Sequence, residues 1–193
     1  LNVGQVMERE AKAQARKDEW RTVYEDCYEF ALPQRNLYSG YYEGGVSGKN
    51  KMTRVFDSTA IHATQRFANR IQAGLFPPYK EWCRLETGSG IPEQSRGQAQ
   101  SVLDQYTTTM FETLRQTNFD LAMGEFLLDL SVGTAVMMIM PGDEATPIRF
   151  APIPQYLVAI EEGAFGNVDN VYRKLRLKAE AIPVEYPDVQ RSA

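Results

Sequence analysis

The spacing of apolar residues changes near Gly133, and this change is the strongest constraint on the fold. Before it, apolar side chains recur every three or four positions, which is the periodicity of one buried helix face. After it, "TAVMMIMPG", "IRFAPIP" and "QYLVAIEE" are short extended candidates, and "AFGN" is typical of a turn before "VDNVYRKLRL". This order predicts an α+β fold with four main helices in the first two-thirds, followed by a small, mostly antiparallel sheet.

The predicted helices have recognisable ends. The first covers residues 6–32 and ends before Pro33, because proline cannot continue a helix. Its first half is nearly all charged or Ala, and we expect that half to extend into solvent or to lie against a partner. The second begins at Asp57 or Ser58, both good capping residues, and stops before the Pro77–Pro78 pair. Its predicted apolar positions are Ile61, Phe67, Ala68, Ile71 and Leu75.

Two further helices are predicted between Pro92 and Gly133. Proline is favoured at the first position of a helix, and glycine is favoured just after the end. The third helix starts at Pro92 and the fourth at about Asp120. The predicted buried positions are Val102, Leu103, Tyr106, Met110 and Leu114 on the third helix and Leu121, Met123, Phe126, Leu127 and Leu130 on the fourth.

The stretch "LFPPYKEWCRL", residues 75–85, predicts an abrupt corner. Pro78 pushes its neighbour into extended geometry, so the residues that follow form a short strand or extended segment with Trp82 buried on one side. Our hypothesis is that Pro77, Pro78 and Trp82 form a rigid structural corner that packs the second helix on the domain body. A contact with a neighbouring subunit is an open alternative.

Composition excludes several classes of protein. A formal net charge of -4 over 193 residues gives no general attraction to nucleic acid, so any DNA contact must be local. Cys27 and Cys83 are too few for a disulfide framework, which makes a reducing compartment the default. The apolar stretch around residues 127–140 is far shorter than the roughly 20 residues of a membrane helix, and Asp129 interrupts it.

Residue spacing predicts no catalytic, cofactor-binding or metal-binding site. His62, Cys27 and Cys83 share no metal-ligand spacing, and the adjacent carboxylate pairs have no spacing that argues for acid-base chemistry. An enzyme that uses His62 or Cys83 is kept as the least favoured alternative, after the two interpretations given at the end of this subsection. Lys49, Lys51 and Arg54 follow a Gly-rich stretch and are the DNA-contact candidates, although isolated basic residues beside a loop are usually only solvated.

Four segments together resemble one family. They are "WRTVYEDCYEFALPQR", "VFDSTAIHATQRFANRIQAGLFPPYKEWCRLE", "GTAVMMIMPG" and "IPQYLVAIEEGAFGNVDNVYRKLRL". In this order and spacing they are similar to the portal protein, or head-to-tail connector, of short-tailed, podovirus-like bacteriophages. The resemblance covers Glu19 to Leu177. The Gly-rich loop at 39–48 departs from the family pattern, as does the chain beyond Lys178, where the family has a longer helix and further strands.

The resemblance implies a structural protein without enzymatic activity or cofactor. Residues 1–178 would be the amino-terminal, wing-like domain, and residues 179–193 a loose tail in what we expect to be an incomplete part of a longer chain. Such a subunit would join a ring, typically of twelve copies, at one capsid vertex, through which the genome is packaged and ejected. The expected contact faces between subunits are the charged first half of the first helix and the tyrosine-rich loop, which contains Tyr38, Tyr41 and Tyr42.

The resemblance also implies the partners and the location. The partners would be further copies of the chain, the major capsid protein, the terminase large subunit, tail adaptor and nozzle proteins, and viral double-stranded DNA, with no membrane involved. The protein would be assembled in the host cytoplasm and reside in the virion. A non-viral helical adaptor or interaction domain without catalysis is the alternative reading.

Overall fold

The computed structural model describes residues 2–35, 54–175, 177–180 and 182–186. Its helices are α1 (Val3–Asp18), α2 (Arg21–Ala31), α3 (Thr59–Leu75), α4 (Glu93–Arg115), α5 (Phe119–Leu130) and the short α6 (Ile182–Glu185). Its strands are β1 (Val136–Pro141), β2 (Ile148–Ile153), β3 (Val158–Glu162) and β4 (Val168–Arg173), which form two antiparallel pairs, β1 with β2 and β3 with β4. The predicted α+β fold class is confirmed.

The chain divides into two compact units. The central unit is Glu19–Tyr156, and the discontinuous unit combines Leu1–Asp18 with Leu157–Ala193. Our division into a domain at 1–178 and a tail at 179–193 stays a prediction. Among the described residues, no helix has both the length and the apolar character needed to cross a bilayer.

The first predicted helix is two helices. α1 ends at Asp18 and α2 begins at Arg21, with Trp20 in the position before the first turn of α2. The spacing of apolar residues does not reveal the break between Asp18 and Arg21, because the sequence on each side of it favours a helix. The halves differ in what they contact, since α1 packs on β3 within the discontinuous unit and α2 packs on α3 within the central unit.

Within the central unit, packing runs from α2 to α3, from α3 to α5, and from α5 to both α4 and β2. One core cluster contains Tyr28 of α2 and Leu32, which directly follows α2. These two residues pack against Tyr24, Leu128, Val132 and Tyr156. A second contains Phe119, Ala122 and Phe150, against Phe76, Leu114, Met123, Met137 and Ile148. α5 therefore contributes to both cores.

The predicted buried faces of three helices are confirmed only in part: Ile61, Ala68 and Leu127 are buried as predicted, whereas other predicted positions are exposed. On α4, Thr107 and Phe111 are buried, while Val102, Tyr106 and Met110 are exposed. On α5, the buried residues are Phe119, Ala122, Leu127 and Asp129, whereas Leu121 and Leu130 are exposed; on α3 they are Ile61, Thr64 and Ala68, whereas Phe67 and Leu75 are exposed. Small and polar residues take core positions here because their hydrogen bonds are satisfied or because neighbouring helices approach closely.

In the discontinuous unit, charged side chains attach α1 to the β3–β4 hairpin. Glu161 of β3 accepts hydrogen bonds from Arg9 Nε at 2.9 Å, Tyr172 Oη at 2.7 Å and Asn170 Nδ2 at 3.2 Å. The bonds from Tyr172 and Arg9 lower the pKa of Glu161. The side of α1 that carries Arg9 thus contacts β3, although most of this charged helix is exposed, as we expected of this half.

Candidate functional site

The predicted structural corner follows α3. The backbone N–H of Phe76 donates to the carbonyl of Gln72 at 2.8 Å and closes the helix, and Lys80 N–H donates to the Pro77 carbonyl at 3.3 Å to close a turn. Within that turn Tyr79 has a φ of 65°, the only positive φ of a non-glycine residue in the described part of the chain. A residue other than glycine rarely adopts a positive φ. The two prolines and the turn hold the backbone of Tyr79 in this conformation.

Trp82 packs among aromatic rings after the turn. Its ring is edge-on to Phe76 with centroids 5.0 Å apart, edge-on to Phe111 at 5.4 Å, and stacked on Phe119 at 6.0 Å. Phe119 in turn meets Phe150 of β2 at 5.2 Å. The cluster joins the end of α3, α4, α5 and the β1–β2 hairpin. Trp82 keeps one edge in solvent, with 36% of its surface exposed.

The segment after the corner is extended but forms no strand within the described residues. Side chains of α4 take the place of a strand partner: Leu85 N–H donates to Thr107 Oγ1 at 3.1 Å, and Leu85 C=O accepts from Gln100 Nε2 at 2.9 Å. Arg84 adds two bonds to Asp104, at 2.8 and 2.7 Å. Hydrogen bonds from Gln100 and Arg84 lower the pKa of Asp104.

A buried ion pair joins the end of α2 to α5. Asp129 is 1% exposed, and its carboxylate accepts hydrogen bonds from Arg35 Nε at 3.0 Å, Arg35 Nη2 at 2.6 Å and Tyr28 Oη at 3.1 Å. Arg35 Nη1 also donates to Glu125 at 2.9 Å. Burial disfavours the charge of Arg35, but the bonds to Asp129 and Glu125 outweigh it and raise its pKa. The sequence signal for this pair was Asp129 itself, a lone carboxylate in the most apolar stretch.

The DNA-contact candidates have different outcomes. Lys49 and Lys51 lie outside the described residues. Arg54 Nη1 meets Glu29 at 3.2 Å, and its guanidinium lies 5.7 Å from the centroid of the Phe30 ring. Arg54 is therefore engaged with α2, and its role in DNA contact remains a prediction. The tyrosine-rich loop, an expected contact face, also lies outside the described residues.

The three residues considered for metal or thiol chemistry lie on different elements. His62 is on the exposed face of α3, Cys27 is half-buried on α2, and Cys83 is exposed on the extended segment. In the part of the chain that the structure describes, no group of three or more His, Cys, Asp or Glu side chains is arranged to hold a metal ion.

Among the exposed apolar side chains of the central unit, two sets form stripes that we single out. The α2 stripe consists of Trp20, Val23 and Phe30, and the α4 stripe consists of Val102, Tyr106 and Met110. Helical spacing puts the members of each stripe on one side of their helix. The stripes lie on the first and last helices of the packing series α2, α3, α5 and α4. Exposed apolar residues grouped in this way are typical of interaction surfaces.

A sequence model of the family described as "Bacteriophage head to tail connecting protein" matches residues 3–192. The match extends from α1 through β4 and α6. Comparison with curated proteins gave no significant match.

Proposed function

The chain belongs to the bacteriophage head-to-tail connecting protein family, and from this premise we propose that it is a subunit of a ring-shaped portal at one vertex of the capsid. The family match over residues 3–192 is the observation that carries this proposal. The connector role makes the protein a structural component of the virion. The ring, its proposed stoichiometry of twelve, and the passage of the genome through it are the finer parts of the proposal.

The two apolar stripes support a ring. A head-to-tail contact uses two different patches on each subunit and closes into a ring when the rotation between subunits allows it. We place the α2 stripe of one subunit against the α4 stripe of the next. Burial of three large side chains on each side would favour this contact, since apolar area removed from water contributes roughly 25 cal/mol per Å².

The remaining parts of the proposal concern partners and location. As a connector the protein contacts capsid and tail components. We propose the major capsid protein, the terminase large subunit during packaging, and tail adaptor or nozzle proteins as the specific partners, with assembly in the host cytoplasm. In this role the chain positions other proteins and performs no catalysis. Lys49, Lys51 and Arg54 remain proposed DNA contacts, and Pro77, Pro78 and Trp82 the proposed structural corner.

Negative-stain electron microscopy of the purified protein, classified for rotational symmetry, tests the proposal. Rings of about a dozen subunits with a central channel are the expected result. Monomers or small dimers at every concentration tested would contradict the ring and would favour the adaptor reading.

A further inference from the structure

The outer edge of the extended segment, residues 80–86, has unused backbone hydrogen bonds. The N–H and C=O of Leu85 and the N–H of Thr87 bond to side chains of α4, at 3.1, 2.9 and 3.2 Å. Successive residues of an extended chain point their backbone groups to opposite sides, so the even-numbered residues of the segment point theirs away from α4. Among the described residues, the backbone groups of three of them have no hydrogen-bond partner: Trp82, Arg84 and Glu86.

The same segment is accessible and is self-complementary in charge. All its side chains are exposed, and an exposed edge with free N–H and C=O groups pairs readily with another extended chain. Lys80 and Glu86, at its two ends, carry opposite charges, and neither has an ion-pair partner in the part of the chain that the structure describes. Each lies three positions from Cys83. A second copy of the segment, running in the opposite direction, therefore brings a complementary charge to each end.

We propose that two copies of the chain pair antiparallel through this segment, with the two-fold axis at Cys83. Lys80 of each copy then lies opposite Glu86 of the other, which places unlike charges together at both ends. Trp82 lies opposite Arg84, and these two residues exchange the backbone hydrogen bonds that the single chain leaves unmade. The two Cys83 residues face each other as a pair without hydrogen bonds, with Cα atoms about 4.5 Å apart.

An axis at any other residue of the segment loses this complementarity. An axis at Trp82 sets Lys80 against Arg84, and like charges directly opposite one another are destabilising. An axis at Leu85 leaves Lys80 opposite Gly90, without a carboxylate. Charged residues face their own copies when the axis lies at one of three positions: Glu81, Arg84 and Glu86.

This pairing goes beyond the proposed ring and does not depend on it. A two-fold contact relates copies that face in opposite directions, whereas the subunits of a ring all face the same way. The strand pairing therefore joins free subunits, or one ring to another, and leaves the α2 and α4 stripes to the contact within a ring.

Oxidation with copper phenanthroline tests the pairing, because a disulfide traps two thiols that meet on the axis. Protein with Cys27→Ser retains Cys83 as its one thiol. The matched control is Cys27→Ser with Cys83→Ser and Leu85→Cys, which puts the thiol at another exposed position of the segment. In the proposed register that thiol lies about 13 Å from its copy along the strands. We expect the Cys83 protein to form disulfide-linked dimers about tenfold faster than the control.

Exchange of the end charges tests the register independently, in the Cys27→Ser background. Lys80→Glu alone and Glu86→Lys alone each put like charges opposite one another at both ends, and should slow dimer formation about tenfold. The variant with both changes restores unlike pairs and should recover the rate to within about twofold of the parent.

Equal rates for the Cys83 protein and the control would overturn the proposal, since they indicate random collision. A faster control would overturn it in favour of an axis at Leu85, and a doubly exchanged variant as slow as the single ones would show that the end charges do not face each other. Electron microscopy of the same samples separates this proposal from the ring. Rings without Cys83-linked dimers contradict the strand pairing alone, and Cys83-linked dimers without rings support it while contradicting the ring.

Discussion

At the scale of single residues, Asp129 is the position where burial and charge conflict most. An unpaired carboxylate at 1% exposure would be strongly destabilising, and Arg35 with Tyr28 removes that cost by satisfying both carboxylate oxygens. The pair also fixes where the chain goes after α2, because Arg35 ends the short 3-10 helix Pro33–Arg35. One buried interaction therefore sets both stability and the path of the chain.

Arg35→Met should destabilise the protein by about 3–5 kcal/mol, because it leaves the Asp129 carboxylate buried without its cation. Urea denaturation measures this loss. Arg21→Met is the control, since it removes an exposed ion pair with Glu25 within one helix and should change the free energy of unfolding by about 0.5 kcal/mol or less. Similar losses in the two variants would show that the buried pair has no special role.

Asp143 lies in the turn between β1 and β2, and we expect it to make the stability of the fold depend on pH. Hydrogen bonds from the backbone and hydroxyl of Thr146, together with Arg149, lower its pKa from 3.8 to about 2. The unfolded chain therefore binds more protons than the folded chain between these values. The stability that Asp143 contributes is present above pH 3.8 and is lost as the pH falls towards 2.

Measuring the free energy of unfolding across this acidic range for the unmodified protein and for Asp143→Asn tests the assignment. The variant should show the shallower decrease, because Asn cannot take up the proton. Parallel curves would mean that Asp143 is not the group responsible.

At the scale of elements, the corner shows how a segment without a strand partner is still fixed. Leu85 obtains backbone hydrogen bonds from Thr107 and Gln100 on α4, and Trp82 inserts between Phe76 and Phe111. The segment is thus attached to α4 by polar bonds on its backbone and by aromatic packing through one ring.

Trp82→Ala should destabilise the protein by about 3 kcal/mol, because it removes a ring that contacts Phe76, Phe111 and Phe119 together. Thermal or chemical denaturation gives the value. Phe56→Ala is the control: it removes an aromatic side chain of the same unit that is 95% exposed and lies in neither stripe, and it should cost less than about 1 kcal/mol. A loss below about 1 kcal/mol for Trp82→Ala would contradict the structural corner.

At the scale of the whole molecule, assembly depends on two surfaces that single-chain stability does not require. The α2 and α4 stripes expose large apolar side chains that the core of the central unit leaves uncovered. A ring would cover both stripes in every subunit, because each subunit would present one stripe to each of its two neighbours.

Val23→Asp and Tyr106→Asp should each prevent ring formation while leaving circular dichroism unchanged, because each places a charge in one half of the head-to-tail contact. An equimolar mixture should give dimers, since each variant retains the stripe that the other has lost. Analytical ultracentrifugation distinguishes these states. Ile139→Asp, on an exposed position of β1, is the control and should retain rings. Rings from either stripe variant alone would contradict the assigned contact.

The sequence by itself determined the fold class, most element ends and the family. Proline, glycine and capping residues act locally, so Pro33, Pro77 and Gly133 marked where elements stop without knowledge of the rest of the chain. The change in the spacing of apolar residues near Gly133 is also a local signal, and it predicted helices first and strands afterwards. The ordered segments that resemble portal proteins agree with the family match over residues 3–192.

Only the tertiary structure decided which face of each helix is buried and which polar groups meet. α4 carries apolar residues on more than one side, and contact with α5 and with the extended segment selected Thr107 and Phe111 over Tyr106. Arg35 and Asp129 are 94 residues apart in the chain, so no local pattern could pair them. Periodicity reports how apolar residues are spaced along one helix, whereas burial depends on what the other elements place against it.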